Sequence, residues 1–219
     1  MQKNMSAFTK IELEKAGAIL CEQSRPLKER FRALFSLKNA VAIEGSAGNL
    51  IVNLMFKALH KNEPSALLKH EVAYCLGQTG CPEAVPLLQT VLSDMTFETI
   101  VRHEAGEALG AIANKDSLPL LSKLAKEDPA PEVMDTCKLA VARIEWLHGG
   151  QAEREKEHLS VNPYSSVDPA PPSLETNTSI LLDELVNENL PLFERYRAMF
   201  ALRNKGDDES IKALAQGIL

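Results

Sequence analysis

Residues 67–78 read LLKHEVAYCLGQ and residues 100–111 read IVRHEAGEALGA. The stretches lie 33 residues apart and share one pattern, small and aliphatic residues at helical spacing, interrupted at the same place by His70-Glu71 and His103-Glu104. Apolar residues recurring at i, i+3 and i+4 specify an amphipathic helix, and a fixed period of this length specifies stacked copies of one supersecondary unit. Further along, VPLL at 85–88 matches LPLL at 118–121. Pro86 and Pro119 follow the short turns QTGCPEA and NKDS. Proline suits the first turn of a helix, where its missing N–H would have had no partner. Each unit is therefore helix, tight turn, helix.

Working outward, EVMDTCKLAVARIEWL at 132–147 keeps the apolar spacing of a third copy, and PLKERFRALFSLKN at 26–39 that of an earlier one. Helix pairs of this length, stacked side by side, make an all-α fold, an α-solenoid of HEAT-like helix-turn-helix repeats. The character changes at HGGQAEREKEHLSVNPYSSVDPAPPS, residues 148–173, which is rich in Gly, Pro, Ser and charge and reads as a loop or linker. Beyond it, LPLFERYRAMFALRN at 190–204 nearly repeats RPLKERFRALFSLKN at 25–39, at an offset of 165. The expected organisation is a repeat half over 1–147, a linker over 148–178, and the start of a second, incomplete half over 179–219.

Composition bounds the function. The chain of 219 residues has 45% apolar but only 5% aromatic residues, which suits helices packed through Leu and Ala. Its net charge of −6 argues against general nucleic-acid or anionic-membrane binding and leaves room for a basic protein partner. Cys21, Cys75, Cys81 and Cys137 show no CxxC spacing and read as reduced thiols. No run of 18 apolar residues exists, and MQKNMSAFTKIELEKAG lacks the apolar stretch of a secretory leader. A soluble, cytoplasmic protein is expected.

The His-Glu pairs stand out against the repeat. At about 100° per residue, Leu68, Val72, Cys75, Leu76 and Thr79 share one helical face, and Val101, Ala105, Ala108, Leu109 and Ile112 share another. His70 then points about 180° from its core face and Glu71 lies about 80° to one side. The corresponding slots of the outer copies hold Phe31-Arg32 and Asp135-Thr136, so the repeat itself does not demand the pair. Gly77 and Gly110 each follow their histidine by seven residues inside a helix. Glycine there costs about 1 kcal/mol relative to alanine, and is expected to leave room for something to approach. Imidazole nitrogen with carboxylate oxygen is a ligand set for non-haem iron, manganese or zinc. Adjacent helical residues diverge by about 100°, so each pair is better placed to serve two ions side by side than to grip one. Neither histidine has a second His at i+4, as a zincin would require.

With its pairs set in SALLKHEVAYCLGQ and VRHEAGEALGAI, and with SVDPAPP and PLFERYRAMFALRN further on, the chain resembles the deoxyhypusine hydroxylase family from about Arg25 onward. The resemblance implies a HEAT-repeat di-iron monooxygenase of two similar halves. It implies two Fe2+ ions, O2 as co-substrate, and a protein substrate, the deoxyhypusine-bearing precursor of eukaryotic translation initiation factor five-A. Carried over by position, it makes His70, Glu71, His103 and Glu104 iron ligands, with His70 and His103 serving one ion and Glu71 and Glu104 the other. No catalytic residue is assigned beyond these ligands. His60, His148 and His158 match no ligand position and are read as surface or linker residues. The family's second-half pairs would fall near positions 235 and 268, at the same offset of 165, past Leu219. A half-set is thus expected, with weak iron binding and iron-dependent self-association of two copies. A non-catalytic HEAT-repeat scaffold and a mononuclear zinc hydrolase are the alternatives. Iron content and colour separate the first from the family reading, and zinc with hydrolysis marks the second.

Overall fold

A computed structural model describes residues 8–41, 48–164 and 166–217. The first seven residues, part of the stretch read for a leader, lie outside it, as do the last two. Among the described residues every regular element is helical. The chain forms two compact units, Met1–Leu120 and Leu121–Leu219, and the boundary falls inside a helix.

In the first unit α1 (Lys10–Cys21) is started by a capping box. The Thr9 hydroxyl accepts from the Glu12 N–H at 3.2 Å, and the Glu12 carboxylate accepts from the Thr9 N–H at 2.8 Å. These bonds satisfy orphan donors of the first turn. There follow α2 (Leu27–Val41), α3 (Gly48–Phe56), α4 (Ala66–Gln78), α5 (Val85–Ser93) and α6 (Thr99–Ile112), and then α7 (Leu118–Glu127), which crosses into the second unit. Ser65 caps α4 by accepting from the Leu68 N–H at 3.1 Å. Pro86 stands in the first turn of α5 as its sequence context requires. Helices pair as α1 with α2, α3 with α4 and α5 with α6, while α2, α4 and α6 also pack against one another in order. This is the expected solenoid. The core-face residues Leu68, Val72, Cys75, Leu76, Val101, Ala105, Ala108 and Leu109 are buried, whereas Thr79 and Ile112, at the helix ends, are partly exposed.

Gly77 does leave room for something to approach, and what approaches is the neighbouring helix. A Cβ there would lie 2.6 Å from the Ala108 Cα and 2.7 Å from its Cβ. The space is already taken by α6, and the glycine exists so that two helix backbones can touch.

The helical hairpins share a lock that the sequence reading passed over. The Arg30 Nε on α2 donates to the Leu20 carbonyl at 2.8 Å, and the Arg102 Nε on α6 donates to the Leu92 carbonyl at 2.9 Å. Each guanidinium reaches back to the last turn of the preceding helix, where carbonyls lack intrahelical donors. Arg30 also grips Glu63 with both terminal nitrogens, at 3.1 and 2.5 Å, with both side chains buried. In α4 the equivalent residue is Lys69, also buried, whose Nζ meets Glu98 at 2.7 Å.

The second unit contains α8 (Pro131–His148), α9 (Gln151–Glu155), α10 (Thr178–Val186), α11 (Leu192–Lys205) and α12 (Asp208–Gln216). Its core joins Leu139, Trp146, Ala170, Phe193 and Phe200, with a second cluster around Leu181, Ala198 and Leu202. The lock recurs, the Arg195 Nε donating to the Leu185 carbonyl at 2.9 Å. The stretch read as a linker is mostly irregular but is tied into this unit rather than strung loosely through it. The Asp168 carboxylate accepts from both terminal nitrogens of Arg203, at 2.9 and 2.7 Å, and from Asn162 and Ser166 at 3.0 Å each. Its backbone carbonyl accepts from the Arg143 Nε at 2.9 Å. Glu155 accepts from the Trp146 indole at 3.1 Å and from Arg197 at 2.6 Å. The four cysteines are free thiols, and among the described residues no helix is long and apolar enough to cross a membrane.

Candidate metal centre

Because α4 and α6 meet at Gly77 and Ala108, the His-Glu pairs one turn or two before them are neighbours across the same interface. The His70 Nε2 lies 3.1 Å from a Glu104 oxygen, and its Nδ1 lies 3.3 Å from a Glu71 oxygen. One imidazole is thus held between two carboxylates, one from each helix. The Glu104 side chain is 6% exposed and that of His70 is 22% exposed, against 34% for His103.

Three sequence expectations change here. His70 does point away from its own helix's core face, but it is half-buried because α6 flanks it; a single-helix projection does not contain the neighbouring helix. Glu104 is buried for the same reason. Glu71 and His70, read as diverging, touch, because two flexible side chains bend together over the helix surface. The structure brings Glu71 and Glu104 each into contact with His70, while His103 sits at the open edge with Glu107, its Nε2 3.9 Å from a Glu107 oxygen. Ligand atoms of His103, Glu104 and Glu107 all lie within 4.8 Å of one another. Glu107 was not singled out from the sequence, although it stands four residues after His103 and thus on its face.

The electrostatics follow the contacts. The hydrogen bond to Glu104 raises the His70 imidazole above its ordinary range; partial burial opposes this, and the charges of Glu104 and Glu71 add to the rise. Burial raises the Tyr74 phenol, one turn beyond His70, and the carboxylates of Glu104, Glu71 and Glu107 raise it further. Cys75, on the core side of the same helix, is pushed up to about 12 by burial and is an inert packing residue. Two imidazoles and two or three carboxylates converging on one patch fit a divalent first-row ion, iron among them. Of the remaining histidines, His148 and His158 are exposed and His60 is partly exposed.

Comparison with known proteins places these residues in context. The HEAT repeats family matches residues 52–142, and the PBS lyase HEAT-like repeat family matches residues 194–219. Deoxyhypusine hydroxylase of Danio rerio is 49% identical over 207 residues, 94% of this chain and 65% of that protein. The Homo sapiens protein of the same name is 47% identical over 212 residues, 96% of this chain and 65% of its own length. A solved structure of human deoxyhypusine hydroxylase in complex with glycerol superposes with a TM-score of 0.83 at 45% identity, covering 95% of this chain and 67% of that one. The chain therefore spans just under two thirds of the length of its curated relatives.

Proposed function

The chain belongs to the deoxyhypusine hydroxylase family, and from that premise we propose that it serves the hydroxylation of a deoxyhypusine side chain on a protein, the precursor of eukaryotic translation initiation factor five-A. In this reading His70, Glu71, His103 and Glu104 hold iron. Bound iron would supply the activation of dioxygen, the co-substrate, for insertion of one oxygen atom into a C–H bond.

The chain's own residues set the conditions for that chemistry. The Glu71 contact at Nδ1 orients the His70 ring, as the second nitrogen of a metal-bound histidine requires, and Nε2, which meets Glu104 in the metal-free chain, is the nitrogen that would take the ion. Glu104 sits in the packed α4–α6 interface, where water is scarce and charge interactions are stronger than in solvent. The more open edge, with Glu71, His103 and Glu107, gives a cationic polyamine-like side chain an anionic surface to approach. The observation that carries the reading is the meeting of the two pairs across neighbouring repeats, with the His70 Nε2 3.1 Å from Glu104.

The test is anaerobic uptake of ferrous iron by the purified chain, followed by exposure to oxygen with the deoxyhypusine-bearing precursor. Mass spectrometry of that substrate reads the gain of one oxygen atom. His70→Ala and Glu104→Gln are each expected to lower iron uptake sharply. Uptake equal to the parent chain in both variants would remove these residues from the centre.

A further inference from the structure

The two copies that carry the His-Glu pairs share a second departure from the repeat. Three residues before His70 stands Leu67, and three before His103 stands Ile100. Both lie in the first turn of their helices, α4 and α6, and both face solvent, Leu67 57% exposed and Ile100 50%. The outer copies, aligned on Phe31 and Asp135, hold Lys28 and Glu132 in that slot. The copy in the second unit, aligned on Tyr196, holds Phe193, which packs into the core there. Among these copies, an exposed large aliphatic side chain at this position accompanies the His-Glu pair and nothing else. One exposed aliphatic residue needs no explanation. Two at a single repeat position, on helices that pack against each other, do.

Residues at i, i+3 and i+7 share one helical face. The outer side of α4 therefore reads Leu67, His70, Tyr74, and that of α6 reads Ile100, His103, Glu107. At about 1.5 Å per residue each row is about 10 Å long, and its ends differ in kind. At one end two aliphatic side chains stand beside helix N-termini, whose backbone N–H groups carry partial positive charge and disfavour a cation. At the other, burial raises the Tyr74 phenol, and the charges of Glu104, Glu71 and Glu107 add to the rise. The imidazoles lie between.

We propose that this polarity sets the direction in which the substrate side chain lies. The aliphatic stem and the polypeptide that bears it rest on Leu67 and Ile100, and the terminal ammonium points along α4 and α6 towards Glu107. The proposal rests on the family reading for the substrate. A lysine-derived polyamine side chain is apolar where it leaves the backbone and cationic further out, the same order as the rows beneath it. Reversed, it would set its terminal ammonium on aliphatic surface, losing hydration without gaining a partner, and would leave the carboxylates facing methylene groups. In the favoured direction the carbon chain crosses the imidazoles. Leu67 and Ile100 thus read the protein-attached end of the substrate, and the carboxylates read the free amine.

A short peptide carrying deoxyhypusine and free spermidine are the probes, each titrated by calorimetry into the full chain with anaerobic Fe2+. Leu67→Ser and Ile100→Ser remove aliphatic contact area, and each is expected to weaken the peptide by about five- to tenfold. Spermidine, which has no polypeptide end, binds both variants as it binds the parent. Leu67→Met and Ile100→Leu keep the peptide affinity, and melting of all four variants matches the parent because the positions are exposed. Peptide binding by both Ser variants equal to that of the parent overturns the proposal and leaves the family reading intact. So does an equal loss for peptide and spermidine, which would put the amine on the aliphatic end. Absence of peptide binding by the parent chain overturns it as well, while iron uptake and the gain of one oxygen atom judge the family reading separately.

Discussion

Replacing Gly77 by alanine tests the packing that brings the two His-Glu pairs together. The new Cβ would stand 2.6 Å from the Ala108 Cα, whereas carbon atoms in contact prefer about 3.5–4.0 Å. The obstacle is backbone, so no rotamer change relieves it, and α4 and α6 must part by about 1 Å. Overpacking of this kind costs about 1–3 kcal/mol, and the alanine returns about 1 kcal/mol of helix propensity. With a backbone obstacle the upper end applies, leaving a net loss of about 2 kcal/mol. For a chain of this size that lowers the melting temperature by about 4–8 °C. The same displacement stretches the 3.1 Å contact between His70 and Glu104, so Co2+ affinity falls with it. Gly80→Ala is the matched control. Its φ of +66° strains an alanine, but nothing lies within 4 Å of the added atom, so stability drops by about 1 kcal/mol with metal affinity unchanged. Differential scanning fluorimetry and calorimetric titration of the three proteins decide the matter. Gly77→Ala melting at or above the parent temperature would refute the close contact and the reasoning built on it.

His70→Ala in the metal-free chain is expected to lose about 1–3 kcal/mol, because it strands the buried Glu104 carboxylate; chemical denaturation showing no loss would mean Glu104 turns to solvent. Burial would raise the Glu63 carboxyl, but the Arg30 guanidinium outweighs it and holds the group below its usual value. A depressed carboxyl stabilises the fold above its unfolded pKa and loses that contribution as pH falls through the folded one. Stability of the parent chain should therefore decline below about pH 4. Glu63→Gln, which leaves Arg30 buried and unpaired, should lose about 3–5 kcal/mol at neutral pH and show a flatter acid limb in urea titrations. Asp168→Asn breaks the two-pronged Arg203 contact, and hydrogen exchange should speed up in residues 160–170 while α11 keeps its protection; uniform exchange across both would mean the loop is held by something else.

The solenoid was legible because its signal is periodic. A 33-residue offset and apolar residues at helical spacing placed α4, α5 and α6, and most of the core faces of α4 and α6, without any long-range information. The donor patch was legible only in part. His70, Glu71, His103 and Glu104 announced themselves by recurring at the same place in two copies, whereas Glu107 does not recur and so carried no such mark. The burial of Glu104 and the role of Gly77 depend on the helix next door, which a one-helix projection omits. Residues 148–178 look like a tether by composition, yet Asp168 and Glu155 fasten that stretch to arginines on α8 and α11. A single acidic residue such as Asp168 in a Pro-rich run gives no hint of partners 25 and 35 positions away.

The arginine that reaches back across three of the hairpins acts as a ruler. Leu20 to Arg30, Leu92 to Arg102 and Leu185 to Arg195 are each ten residues. The intervening CEQSRPLKE, SDMTFETIV and VNENLPLFE are equal in length, yet the second shares no aligned residue with the other two. What is held constant in these connections is a distance rather than a composition. Their residues are therefore free to drift, while a single insertion or deletion would pull the guanidinium off its carbonyl and set the next helix at a different angle. Where the chain does lengthen, over the connection from α9 to α10, the fastening passes to Asp168, which Arg143 and Arg203 hold from the flanking helices.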